Sequence, residues 1–188
     1  MAQITTGVEY ALHCLLYLTK SHATVDELSV RDLAALQGIS HEYLAKLFSK
    51  LSKAGLVTAT EGVNGGFRLA RSAHRISVHD VIIAIDGNKP LFVCREVRRR
   101  CAVFDQTLAV WPAQGVCSVH AVMQRAEKAM RAELKRHTLD NLAQRVVDKT
   151  HATYRVEIIR WLSHRPQSRQ AAAPDAARTV RRKTARIS

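Results

Sequence analysis

Four side chains near the middle of the chain could do chemistry together: Cys94, Cys101, Cys117 and His120. Six residues separate the first two cysteines and fifteen separate the second pair. Thiolates bind iron–sulfur clusters, and three cysteines with one histidine also form a zinc set. Cys117 and His120 lie three apart, so a helix starting there turns both to one face, where both can address one metal. Arg95, Arg98, Arg99 and Arg100 flank two of the cysteines, and positive charge nearby favours thiolate over thiol. Without a metal, Cys94, Cys101 or Cys117 can instead switch by oxidation to a sulfenate or a disulfide. Inert thiols in a solvated arginine loop are the plainest reading. An enzyme using Cys117 with His120 would need a third orienting group or an oxyanion loop, and the sequence offers neither. Cys14, inside an apolar run, reads as core.

A second constellation suits a different task. Tyr43, Leu44, Leu47, Phe48 and Leu51 recur as the apolar face of an amphipathic segment capped by Ser40. Its other face carries His41, Glu42, Lys46, Ser49, Lys50 and Lys53, and Tyr43 also sits on that side in the first turns. Hydroxyls of Ser40 and Tyr43 can reach a base or a phosphate, and the lysines follow a phosphate backbone as point charges. Downstream, Asn64-Gly65-Gly66 with Arg68 has the composition of a hairpin tip that lies on a sugar–phosphate backbone. Merged, these residues describe a reader of duplex DNA with a wing beside it.

The elements that must position them follow from caps and periodicity. Residues 6–20 predict a helix buried on several sides. Ser29, with Asp32 three residues on, opens a second helix, and Gly38 stops it. Ser40 caps a third, which Gly55 ends. Ala34 and Gly38 supply the small residue and the turn glycine that a helix-turn-helix requires. Residues 56–60 and 67–70 read as the strands of a hairpin whose Asn-Gly-Gly turn calls for positive φ. Ser77 with Asp80 starts another helix and Gly87 closes it. Val119, Met123, Ala126, Met130 and Leu134 step by three and four, a narrow seam on a long helix of the kind that pairs with another helix. A last helix spans about residues 154–162. Trp111 with Pro112 reads as a packed loop anchor.

Bulk properties agree with a nucleic-acid binder. The chain has 188 residues, 47% of them apolar, and a net charge of +13. A basic balance implies a polyanionic partner. Between Arg165 and Arg186 stand seven basic residues against one acid, a tail expected to be disordered. No apolar run is long enough to cross a membrane, and no signal-peptide pattern opens the chain, so the expected compartment is cytoplasmic, where thiols stay reduced.

The run Ile-Thr-Thr-Gly-Val-Glu-Tyr-Ala-Leu from Ile4 resembles the first helix of the bacterial iron–sulfur and redox-sensing winged-helix repressors of the IscR, NsrR and RsrR type, the Rrf-type regulators. The stretch Gly-Ile-Ser-His-Glu-Tyr-Leu-Ala-Lys-Leu-Phe from Gly38 is similar too, as are residues 62–67 and the Ile-Ala-Ile-Asp-Gly ending at Gly87. The likeness spans about residues 3–146. It implies a homodimer on a palindromic operator in double-stranded DNA, with no small-molecule substrate. It also implies an iron–sulfur cluster, 2Fe–2S favoured over 4Fe–4S, held by Cys94, Cys101 and Cys117. Cys117-Ser-Val-His120 matches the family's Cys-x-x-His, making His120 one candidate fourth ligand. Glu9 of the partner subunit is the other.

The expected architecture is therefore mainly α: a winged helix-turn-helix with a small β-hairpin wing plus a long C-terminal dimerisation helix. Its expected divisions are a DNA-binding domain over 1–90, a cysteine-containing sensor loop over 91–118, a dimerisation helix and C-terminal helix over 119–163, and a basic tail over 164–188. The expected function is a transcriptional repressor switched by a cluster or by redox state. A cluster-free thiol sensor and a charge-driven architectural DNA binder are the alternatives.

Overall fold

The computed structural model describes residues 4–19, 27–60, 65–100 and 115–164. Among these the order is α1 (Thr6–Tyr17), α2 (Val30–Gln37), α3 (His41–Lys53), β1 (Val57–Ala59), β2 (Phe67–Leu69), α4 (Val78–Asp86), α5 (Ser118–Arg136), α6 (Leu139–Lys149) and α7 (Ala152–Ser163). Short 3-10 turns occupy Ala73–Arg75 and Val97–Arg100. Cys101, Asn64, Trp111 and the basic tail after His164 lie outside the described residues.

Local chemistry sets the helix ends. The Ser29 hydroxyl accepts the Asp32 N–H at 3.1 Å and starts α2. Gly38 stops it at φ 65°, where the Ile39 N–H returns to the Ala34 carbonyl at 2.9 Å. That left-handed residue turns the chain so that α3 starts only three positions later, with the Ser40 hydroxyl accepting the Tyr43 N–H. Ala34 is buried in the core with Leu33, Leu44, Leu47, Phe48 and Leu51. Ser77 and Asp80 form a reciprocal capping box at the start of α4, with bonds of 2.9 and 3.1 Å.

The wing is an antiparallel pair in the register Val57↔Leu69, Thr58↔Arg68, Ala59↔Phe67. A third backbone segment joins it, because Leu28 and Phe67 exchange hydrogen bonds of 3.2 and 2.8 Å. Phe67 meets Phe48 edge-on at 5.0 Å and so ties the wing to α3. Gly66 departs from the sequence reading in its reason. Its φ is not in the left-handed region, and a Cβ there would lie 2.8 Å from the Leu28 carbonyl group. Glycine is needed because another strand passes too close for a side chain.

Beyond α5 the chain returns to the N-terminal unit. The Val78 N–H donates to the His137 carbonyl at 2.8 Å, and the Leu139 N–H to the Ile76 carbonyl at 2.9 Å. Leu139 and Ala143 of α6 are fully buried, and Ile158 of α7 is 6% exposed. The hydroxyls of Tyr154 in α7 and Tyr17 in α1 lie 3.4 Å apart. One hydrophobic core thus runs from Val8 to Ile158, and α6 and α7 close the N-terminal unit instead of extending α5. None of α5 is buried. Of its expected seam, Met123, Met130 and Leu134 are half-buried while Val119 and Ala126 are exposed.

Candidate nucleic-acid interface and thiol site

The first two turns of α3 present His41, Glu42 and Lys46, all exposed. The Ser40 hydroxyl donates to Glu42 Oε2 at 2.7 Å while capping the helix. That bond, the Glu42 backbone N–H and then the charges of His41 and Lys46 hold the Glu42 carboxyl below the usual carboxylate range. A fixed anion at this end repels phosphate but can accept from a cytosine amino group, so Glu42 is suited to a base edge and Lys46 to the backbone.

Tyr43 and Lys50 sit differently from the rest. The Tyr43 ring packs edge-on against Tyr10 at 6.2 Å, and its hydroxyl lies 3.0 Å from where a Cβ on Gly7 would be. It is 41% exposed, so it props α3 on α1 and also keeps a face to solvent. Gly7 makes that close approach possible; the sequence reading did not single it out, though it stands inside the Ile4–Leu12 motif. Lys50, itself exposed, also reaches α4, where its ammonium donates to the Ile85 carbonyl at 2.7 Å. On the wing, Gly65 and Gly66 lead into Arg68, whose exposed guanidinium approaches Glu27 at 4.0 Å.

The thiol site gathers at the start of α5. Cys94 and Cys117 are both half-buried and not in a disulfide. Cys94 Sγ donates to Glu96 Oε1 at 3.6 Å, and Arg98 pairs with Glu96 Oε2 at 3.0 Å. The hydrogen bond to Glu96 first, and then the charge of that carboxylate, hold the Arg98 guanidinium above its ordinary range. Glu96 thus links the Cys94 thiol to Arg98. Glu96 adopts φ 46°, the one positive value among described non-glycine residues, a strain of the kind that collects at functional segments. Cys117 is the N-cap of α5, and its side chain makes no capping bond. His120 packs edge-on against Phe92 at 6.1 Å, and its buried Nδ1 has no hydrogen-bond partner among the described residues.

The donor chemistry fits an iron–sulfur group: two accessible thiols, a neighbouring guanidinium to offset negative charge, and an imidazole nitrogen without another task. Among the described residues, though, no three Cys, His, Asp or Glu side chains converge tightly enough to hold a metal. Glu9 is exposed on α1, on the same side as Thr5, Thr6 and His13. Cys14 is core, and burial pushes its thiol up to about 12.

A winged helix-turn-helix with an exposed, partly basic recognition helix defines a DNA-binding transcription regulator, and comparison with known proteins agrees. Residues 4–145 match the family model Rrf2, described as an iron-dependent transcriptional regulator. The chain is 34% identical over 140 residues to the protein rrf2 of Nitratidesulfovibrio vulgaris, covering 74% of this chain and 86% of that one. It is 38% identical over 93 residues to the HTH-type transcriptional regulator IscR of Vibrio campbellii, about half the length of each. Among solved structures, the global cysteine regulator CymR of B. subtilis superposes with a TM-score of 0.60 at 26% identity, covering 77% of this chain and 98% of that one. IscR of T. potens gives 0.59 at 22% identity, over 81% and 95% of the two chains, a likeness of fold.

The chain belongs to the Rrf2 family of transcriptional regulators. Its relatives are regulators and not enzymes. No helix among the described residues is long and apolar enough to cross a membrane.

Proposed function

We propose that the protein is a cytoplasmic homodimer that represses transcription at a palindromic operator, and that an iron–sulfur cluster at Cys94, Cys101 and Cys117 switches its grip. The observation that carries this reading is the pair of half-buried thiols outside any disulfide, Cys94 and Cys117, together with the buried Nδ1 of His120, which has no hydrogen-bond partner among the described residues. The family's description as iron-dependent supports it. His120, or Glu9 of the partner subunit, completes the ligand set, and 2Fe–2S is favoured over 4Fe–4S. Such a group supplies an oxidant-sensitive one-electron centre when bound.

This chain's own residues do the rest. Val119 and Val122 leave an apolar strip on α5 for a second copy. Cys117 stands at the first turn of that helix, so how its sulfur is held sets how the turn is held. Two α3 helices joined through a pair of α5 helices read half-sites at one separation. A small displacement therefore weakens both contacts, and a coupling of about 1–3 kcal/mol changes occupancy roughly 5- to 150-fold. His41, Glu42 and Lys46 read the groove, with Ser40 and Tyr43 shaping the approach, and Arg68 follows the backbone with the wing residues Asn64, Gly65 and Gly66.

Anaerobic purification tests this directly. Visible thiolate–iron absorption with stoichiometric iron and sulfide is expected, and both should vanish in Cys117→Ala while the fold remains. A native protein without iron or sulfide sinks the cluster reading. The second reading, a cluster-free thiol switch, rests on the lack of a converged ligand trio among the described residues. It predicts operator affinity that follows peroxide treatment and is restored by a dithiol reductant.

A further inference from the structure

The last turn of α4 and the residues after it are gripped by polar groups from three other elements. From α3, the Lys50 ammonium donates to the Ile85 carbonyl at 2.7 Å. From the entry to α1, Thr5 gives its N–H and its hydroxyl to the Asp86 carboxylate at 2.9 and 2.7 Å. From α5, the Arg131 guanidinium reaches the Asn88 side-chain oxygen at 2.6 Å, the Lys89 carbonyl at 3.1 Å and the Glu127 carboxylate at 2.7 Å. Glu127 in turn accepts the Leu91 N–H at 3.0 Å. That bond first, and Arg131 second, hold the Glu127 carboxyl below the usual range.

The chemistry of each grip is ordinary; their convergence is informative. The final carbonyls of a helix have no partner within it and favour a cation. Here the cation comes from the recognition helix. The segment leaving α4 toward Cys94 is fixed by α5. Between α4 and α5, Ile82, Ile83, Met130 and Leu134 surround a small gap, with His79 of α4 also lining it. Apolar contact is non-directional and lets helices slide, whereas forked hydrogen bonds fix angle and register.

We infer that this junction sets the angle of α3 relative to α5, and that Lys50 and Arg131 are positioning residues for reading a two-half operator. The inference deepens the proposed function and rests on α5 pairing two copies. In a symmetric dimer any error in that angle enters twice.

The test uses the full-length native protein to select a duplex from a random-sequence library. Affinity is then measured for that duplex, for versions with the half-sites one base pair closer or farther, and for an isolated half-site. Arg131→Met is expected to weaken binding to the selected duplex about tenfold, to flatten the spacing preference, and to leave half-site affinity unchanged. Lys50→Met is expected to flatten the spacing preference too, with full-site affinity falling by a larger factor than half-site affinity, which drops only through the one charge removed. Lys50→Arg, which keeps a donor, is expected to restore most of the preference. A purely structural role would lower full-site and half-site affinity in equal proportion, and that result overturns the inference. So does a native spacing preference in the Met variants. Should Arg131→Met fail to fold, Glu127→Gln keeps an acceptor for Leu91 but removes the charge facing Arg131, and it is read the same way. A native protein that selects no duplex overturns the operator reading and this role with it. A native preference that the variants keep overturns this role alone.

Discussion

α3 buries Leu44, Leu47, Phe48 and Leu51 against its own chain, while α5, with 19 residues against 13, buries none. The difference separates two kinds of helix. The reading unit of α1 to α4, closed by α6 and α7, buries most of its apolar residues internally, with Val156 and Trp161 of α7 left exposed. α5 touches α4 along one side and leaves Val119 and Val122 more than half exposed. A long helix with such a strip suits the proposed pairing with a second copy. What one region achieves within a single chain, the proposed pairing of two copies would supply for the other.

The comparison breaks most severely if the two regions are mis-assigned. Leu139→Ala, in the short element that returns to the core, is expected to destabilise the protein by about 2–5 kcal/mol, read by urea unfolding. A loss below about 1 kcal/mol would place α6 outside the core. Gly66→Ala forces a Cβ onto the Leu28 backbone and is expected to rank next, by about 1–3 kcal/mol as strain in a packed site, with the wing the first part to lose amide protection. Val119→Asp with Val122→Asp addresses the other region. Thermal stability of the single chain should change within about 0.5 kcal/mol, as for exposed sites, while sedimentation shows monomers. A dimer that survives both changes pairs through some other surface.

Smaller effects sharpen the picture. Glu42→Gln is expected to relax base preference at one operator position by about 1–3 kcal/mol, and Lys46→Ala to reduce the salt slope of binding by about 1 per chain with sequence preference kept. The reverse pattern would exchange their roles. The smallest effect is the pH response of His79, whose Nε2 is buried without a hydrogen-bond partner among the described residues. Burial first, then Lys135 and Arg131, hold its pKa below the ordinary 6.5. The unfolded chain therefore takes up the proton first. Its contribution to stability is complete above about pH 6.5 and is lost as pH falls through the lowered native value. His79→Leu should flatten the urea midpoint between about pH 7.5 and pH 5.5; an unchanged slope removes His79 from the pH response.

The sequence was most legible where structure is local. Ser29, Gly38, Ser40, the Ser77–Asp80 box and Gly87 each act within four residues, so caps and stops could be read directly. The alternation of apolar residues along α3 was equally plain. The thiol site was visible as residue types, since Cys117 and His120 share a first helical turn. Other features depend on partners far along the chain. Lys50 looks like one more solvent-facing lysine until Ile85, thirty-five residues on, supplies its acceptor. Gly66 looks like a turn glycine until Leu28 passes beside it. Leu139 and Ile158 carry periodicity that fits an extended helix as well as a returning one, and only the His137–Val78 and Leu139–Ile76 bonds decide between them.

The sealed sulfur of Cys14 gives the protein a timer of its own. A thiol-reactive mass tag that modifies the native chain must leave this cysteine untouched until α1 pulls away from the rest. The moment the extra mass arrives dates whole-molecule opening, while quicker additions register events at the other cysteines, so one spectrum follows both the outer thiols and the scaffold.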